Sequence, residues 1–162
     1  MIMNIQIVRV DYSNTQHTRD LLFLLNYYAE DPMGGGTGLS DYVKNNLISE
    51  LSKNNAALSI IAYVDNKAIA LINCFTGFST FKCQSLLNIH DVIVLREYRG
   101  LGISQKLLKE VEAVAKNMGA CKLTLEVLEG NQSAQKAYQK FGFSGYELDA
   151  STGKAQFWEK LI

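Results

Sequence analysis

Apolar residues at Ile5, Ile7, Val8 and Val10 predict a short first strand. A helix is expected to start near Ser13 or Thr15, because Leu21, Leu22, Leu25, Tyr28 and Ala29 recur at helical spacing. It should stop at Asp31, since the residue before Pro32 is pushed out of the helical region. Residues 31–38 hold the single proline and four of the twelve glycines, and read as a mobile loop. Ser40 and Asp41 then cap a second helix carrying Tyr42, Val43, Leu47, Ile48 and Leu51.

From Ala57 the period becomes that of strands. Residues 57–64 and 68–75 flank Asp65, Asn66 and Lys67, which predicts a hairpin, and 86–95 form a further strand. Ile103, Leu107, Leu108, Val111, Val114, Ala115 and Met118 mark one face of a helix, Lys106, Lys109, Glu110, Glu112 and Lys116 the other, and Gly119 ends it. Leu123, Leu125 and Val127 predict a strand, 131–141 a helix, and 143–148 and 155–161 two closing strands. The order β-α-α-β-β-β-α-β-α-β-β implies an α/β fold: a mixed sheet with helices on both faces. The piece before the glycine loop is too small for its own core, so residues 1–162 are expected to form a single domain.

With 162 residues, such a chain buries roughly 70% of its unfolded surface and needs no staples. Sixteen basic and sixteen acidic residues cancel, which argues against a nucleic-acid or anionic-membrane binder. Cys74, Cys83 and Cys121 are odd in number and lack C-x-x-C spacing, so neither a disulfide framework nor, with only His17 and His90, a metal site is expected. The apolar run at residues 21–25 is too short to span a bilayer and lacks the flanks of a signal peptide, so the expected location is cytoplasmic.

The chemistry concentrates after Val94. A strand ends, Arg99, Gly100 and Gly102 form a tight turn, and an amphipathic helix begins. The first helical turn leaves N–H groups without internal partners at the positive end of the helix dipole, an arrangement that binds phosphate. No P-loop lysine follows, and Gln105 stands where a dinucleotide fingerprint needs its third glycine. A glycine-rich connection without a ligand remains the plain alternative.

Arg99-Gly100-Leu101-Gly102-Ile103-Ser104 resembles the Arg/Gln-x-x-Gly-x-Gly/Ala signature of the GNAT acyltransferase superfamily, with Ser104 replacing the usual small last residue. Leu125-Glu126-Val127, followed by Asn131, Ala134, Tyr138, Gly142 and Phe143, resembles that superfamily's second signature. The resemblance implies a GNAT-like fold with a splayed central sheet and transfer of an acetyl group from acetyl-CoA to a primary amine, by direct attack in a ternary complex. It implies that Arg99 and the N–H groups of Gly100, Leu101, Gly102, Ile103, Ser104 and Gln105 hold the pyrophosphate. The backbone of Val92, Ile93 and Val94 would pair with the pantetheine arm, and a bulge in this strand would aim an N–H at the thioester carbonyl. Asn131 would contact the cofactor arm, and Tyr138 would face the sulfur.

Asn131 and Tyr138 are seven residues apart, so a helix places both on one face with Ala134 between them. Tyr138 is read as a hydrogen-bond donor to the developing thiolate, with an ordinary core aromatic as the alternative. Glu126 and His90 compete as the base that deprotonates the amine, Glu126 because burial in a strand would raise its pKa, His90 because the reference value of an imidazole, about 6.5, suits proton removal, with a structural strand histidine as the alternative. Asp91 is read as a substrate contact or a relay through water. Tyr27, Tyr28, Glu30 and Asp31 lie at the start of the glycine loop and are expected to attract a small cationic amine by charge and by aromatic faces, the alternative being that Glu30 and Asp31 merely end a helix in solvent. The alternatives are a non-catalytic acyl-CoA-binding module and a protein N-terminal or lysine acetyltransferase. Neither nucleic acid nor membrane is an expected partner; a homodimer is one option, because dimers are frequent among relatives.

Overall fold

Asn14 starts the first long helix: its side chain accepts from the N–H groups of Gln16 and His17, one residue from the expected caps. In the computed structural model, which describes residues 3–149 and 151–162, the elements are β1 (Ile5–Arg9), α1 (Thr15–Glu30), α2 (Asp41–Lys53), β2 (Ala57–Val64), β3 (Lys67–Ser79), β4 (Gln84–Val94), α3 (Ile103–Asn117), β5 (Leu123–Leu125) and α4 (Gln132–Phe141). α1 ends where Asp31 turns extended before Pro32, and Ser40 caps α2 through the N–H of Val43. Val64 pairs with Lys67 across a two-residue turn in which Asp65 and Asn66 both have positive φ, 49° and 62°. Asp and Asn tolerate that conformation better than other side chains, which explains the hairpin at this point.

The chain divides into two compact units between Leu125 and Glu126. The larger holds a five-stranded sheet in the order β1-β2-β3-β4-β5, antiparallel except for the parallel β4–β5 pair. Its two faces are separable by register. Val8, Ile61, Leu71 and Ile93 share rungs and pack with Leu21 and Leu24 of α1 and Leu51 of α2. The alternate residues Arg9, Ile60 and Ile72 share the next rung and point the other way. Arg9 forms an ion pair at 2.9 Å with Glu110, so α3, with Leu107, Leu108 and Val111 fully buried, covers that second face.

The smaller unit begins at Glu126 and contains α4. Its half-buried residues Ala134, Ala137, Tyr138 and Phe141 recur at helical spacing. Here two expectations fail. β5 stops at Leu125, so Val127 lies outside any strand, and the two closing strands do not form. In their place Glu147 and Lys154 make a single antiparallel bridge around a turn organised by Asp149, whose carboxylate accepts from the N–H groups of Ser151 and Thr152. A two-stranded ribbon with no third strand is marginal by itself, and Phe157 and Trp158 are left 75% and 82% exposed.

Candidate active site

β4 carries one residue more than β3 can match. Asn73 pairs with Asp91 and Cys74 with Ile89, so His90 is the extra residue of a β-bulge. In regular strand, consecutive side chains point to opposite faces; the bulge lets two neighbours share one face. The His90 ring packs edge-on against Phe75 at 5.0 Å, and Asp91 accepts from Asn73 Nδ2 at 2.9 Å. Phe75 belongs to the α1-side core, and Asn73 lies on the same side as Leu71. His90 and Asp91 therefore both serve the α1 face. His90 is exposed, whereas burial pushes the Asp91 carboxyl above its ordinary range, opposed by the Asn73 bond and by His90.

The parallel β4–β5 ladder ends at Ile89 and Leu125, directly before the bulge. From Asp91 to Val94 the strand pairs with β3, and among the described residues no strand pairs with its other edge. Beyond it come a 3-10 turn at Arg96–Tyr98, then Arg99 and the glycines. Gly100 and Gly102 have φ of 78° and 75°, a conformation that L side chains rarely adopt, and apart from their chain neighbours no described residue comes within 4 Å of where their Cβ would be. Gly102 is the N-cap of α3, and no side chain caps that helix start. The N–H of Lys106 donates to Gly102 O at 3.3 Å, so the helix ladder begins there and the N–H groups of Ile103 and Ser104 precede it. The Ile103 side chain itself is buried and anchors the turn.

Arg99 is engaged within the protein. Its Nε donates to Val94 O and its Nη2 to Asp31 Oδ2, both at 3.0 Å. Arg99, expected on the phosphates, and Asp31, expected on the acceptor, here hold each other. The Asp31 carboxyl lies below its ordinary range because it accepts from the N–H of Met33 and is paired with Arg99. Glu30 Oε1 accepts from Asn26 Nδ2 at 2.8 Å. Tyr27 OH accepts from the N–H of Arg96, and Tyr28 OH donates to Met33 O. Tyr27, Glu30 and Asp31 line one shallow open depression of about 190 Å³.

The segment expected as a mobile loop is a hydrogen-bonded turn. Gly34 and Gly36 donate to Asp31 O, Thr37 donates to Ala29 O, and Leu39 N donates to Asn26 Oδ1. Gly34 is required by space: a Cβ there would lie 2.0 Å from Tyr28 O.

In the smaller unit, Asn131 caps α4 by accepting from Ala134 N at 3.1 Å. Tyr138 is half-buried, its ring 6.0 Å from that of Phe143, and its carbonyl accepts from the N–H groups of Gly142 and Phe143. Glu126 is exposed and follows the last residue of β5, whereas the expectation was a glutamate buried within the strand.

Sequence reasoning missed the residues beneath Asp91. Ser59 and Asn73 are the buried polar side chains of the described core, and Tyr12 joins them. The available signal was a lone polar residue inside each of two apolar strand runs. Cys74 lies nearby, fully buried, with its thiol pushed up to about 12 by burial and by Asp91. Among the described residues, no group of three or more His, Cys, Asp or Glu is arranged to hold a metal ion, and no helix is long and apolar enough to cross a membrane.

Among the described residues, a strand edge without a partner runs through a bulge into a glycine turn and a helix start, the arrangement that the resemblance to an acyltransferase superfamily implied. The model of the Acetyltransferase (GNAT) family matches residues 19–143, and the chain belongs to that family of enzymes. It is similar to thialysine N-epsilon-acetyltransferase of Bos taurus, 37% identical over 68 residues, covering 42% of this chain and 39% of the bovine protein. The match thus spans about two fifths of that relative's length. An uncharacterized N-acetyltransferase of Archaeoglobus fulgidus is 31% identical over 109 residues, 62% of this chain and 74% of its own. Among solved structures, AAC(6')-Iy in complex with the bisubstrate analog CoA-S-monomethyl-acetylneamine superimposes with a TM-score of 0.76 at 20% identity, covering 98% of this chain and 99% of that one. At that identity the likeness speaks for the fold.

Proposed function

We infer that this chain is a single-domain N-acetyltransferase that moves the acetyl group of acetyl-CoA onto the primary amine of a small cationic molecule, by direct attack in a ternary complex. The observation that carries the reading is the β4–α3 unit: an unpaired strand edge, two positive-φ glycines with open space around them, and a helix start with no side-chain cap. These residues suit the co-substrate. The backbone of Val92, Ile93 and Val94 would pair with an extended amide-bearing arm, and Arg99 with the N–H groups of Gly100 to Gln105 would hold a diphosphate. Acetyl-CoA, when bound, supplies an activated acetyl thioester.

The remaining roles fall to this chain's own groups. Tyr138, by its place in the second motif, donates a hydrogen bond to the sulfur as it becomes negative; Asn131 serves the cofactor arm. A full proton transfer from tyrosine, with a reference pKa of about 10, to a thiolate of about 8.5 would run uphill. His90, exposed at the bulge, takes the amine proton, with Glu126 as the competing base. Tyr27, Tyr28 and Glu30 bound the acceptor side. Asp31 is already paired with Arg99, so Asp91 is the better anchor for the ammonium group. The name of the bovine relative, a thialysine acetyltransferase, supports a small basic amine. Free thiols at all three cysteines suit a reducing, cytoplasmic setting.

The test is to mix the protein with acetyl-CoA and a panel of diamines, basic amino acids, aminoglycosides and peptide N-termini, and to follow free thiol. Release with a small cationic amine supports the reading, and Tyr138→Phe should then lower kcat at least tenfold with little change in the KM for acetyl-CoA, ~1.4 kcal/mol of transition-state stabilisation. Tight coenzyme A binding without thiol release would make the chain an acyl-CoA-binding module.

A further inference from the structure

Alternation demands apolar side chains at the sheet positions facing α1, yet two positions break the pattern completely. Ser59 is 2% exposed and Asn73 is 4% exposed. Ser59 pairs with Asn73, and Asn73 with Asp91, so the three stand side by side on adjacent strands. Ser59 Oγ lies 2.6 Å from Asn73 Oδ1, and Asn73 Nδ2 lies 2.9 Å from Asp91 Oδ2. Tyr12 OH, from the loop after β1, lies 2.9 Å from Ser59 Oγ.

The chemistry of these atoms fixes the direction of every bond. An ionised carboxylate only accepts, so the Asn73 amide must turn its NH₂ toward Asp91 and its oxygen toward Ser59. That oxygen only accepts, so Ser59 donates, and the Ser59 lone pair takes the phenol proton of Tyr12. All three donors therefore point toward Asp91. A carboxamide in the middle cannot pass a proton along, so the string is a line of dipoles and not a proton wire. Aligned bonds in a low-dielectric interior strengthen one another and stabilise negative charge at the accepting end. Among the described residues, Asp91 Oδ1 has no hydrogen-bond partner. Burying a hydroxyl and an amide costs stability that Ala and Leu at the same places would not, so the string calls for a role beyond packing.

We propose that Asn73, Ser59 and Tyr12 are positioning residues that act through Asp91: they hold its carboxylate ionised and in one rotamer, with Oδ1 turned to the ammonium group of the acceptor. The proposal rests on the N-acetyltransferase reading. Of the other titratable groups facing Asp91, Tyr28 on α1 and Cys74 on β3 have pKa values raised by burial and by Asp91 itself, so both are neutral at pH 7, and His90 is its neighbour on β4.

The experiment combines Tyr12→Phe, Ser59→Ala and Asn73→Ala, each alone and each with Asp91→Asn. Acetylation kinetics are read alongside a ¹³C NMR titration of the aspartate carboxyls. Each single change should lower kcat/KM for the amine by about 2- to 10-fold and leave the KM for acetyl-CoA unmoved. The loss should be largest for Asn73→Ala and smallest for Tyr12→Phe. The Asp91 carboxyl should titrate at higher pH in Ser59→Ala and Asn73→Ala than in the parent. In the Asp91→Asn background the same changes should cost nothing further, because their path to the substrate is gone. Additive losses in that background, or an unmoved Asp91 titration in Ser59→Ala, overturn the proposal. Ser59→Ala and Tyr12→Phe each remove a single oxygen, so they report even if Asn73→Ala does not fold. A parent inactive toward every amine would instead overturn the acetyltransferase reading, and the titration then decides the string by itself.

Discussion

Replacing Asp31 with Asn should tighten the binding of coenzyme A, although Asp31 lies on the acceptor side of the proposed site. In the free protein the Arg99 guanidinium is held by Asp31 at 3.0 Å, with the two side chains 50% and 23% exposed. A diphosphate that takes Arg99 must displace the carboxylate. Exposed pairs of this kind are worth about 0.2–1 kcal/mol, so removing the competitor should lower the dissociation constant by about 1.4- to 5-fold. Asn keeps a side-chain oxygen for the N–H of Met33, so the turn after α1 retains its cap. The Asp31 carboxyl is held below its ordinary range, so it is ionised at neutrality. The tightening is therefore fully present at neutral pH and fades only as acid protonates the parent carboxylate. It should also shrink with salt, since the Debye length falls to about 3 Å at 1 M. Calorimetry on the parent, Asp31→Asn, Arg99→Ala and the double variant at low and high ionic strength measures all of this. In the Arg99→Ala background the gain should largely vanish. An unchanged or weaker affinity in Asp31→Asn would refute the competition between carboxylate and diphosphate.

Two further outcomes concern stability. Gly34→Ala sets a Cβ 2.0 Å from Tyr28 O, both atoms being backbone or directly attached to it, so the turn must move. Thermal unfolding should show a loss of about 1–3 kcal/mol, roughly 3–10 °C in Tm. Asp91→Asn should raise Tm at neutral pH by about 2–4 °C while lowering activity, because it replaces a half-buried carboxylate by a neutral amide. The sign follows from the raised pKa: the ionised form is disfavoured in the folded state, so the gain is present above the folded pKa and disappears as pH falls below the unfolded value.

Local rules were enough to find the helix and turn boundaries. Ser40, the Asp31–Pro32 pair, Asp65–Asn66 and Gly119 act on their immediate neighbours, and each ends or starts an element where its chemistry predicts. The motif at Arg99–Ser104 was legible for the same reason, as its glycines serve their own backbone. What escaped depends on register or distance. Arg99 and Asp31 are 68 residues apart, and nothing in either segment announces the pair. Ser59, Asn73 and Asp91 become a row only once three strands are aligned. The closing strands erred in the opposite direction: apolar and aromatic content at 143–148 and 155–161 suits strands, but a ladder needs a neighbour, and only one bridge forms.

The bulge at His90 joins these threads, because one extra residue alters both edges of the site. Without it, Asp91 and His90 would face opposite sides of the sheet, and one of them would point toward α3. With it, both face α1, where the turn at residues 31–38 and the tyrosines of α1 lie. The same irregularity sits where the β5 ladder stops, leaving the following stretch of β4 with a free edge that leads into the glycine turn. A bulge bends its strand and sharpens the twist, so the pairing gap and the shared face are two consequences of one local event. In the proposed enzyme the free edge serves the acyl donor and the shared face serves the amine. Deleting His90 would restore regular pairing, and would be expected to harm both together.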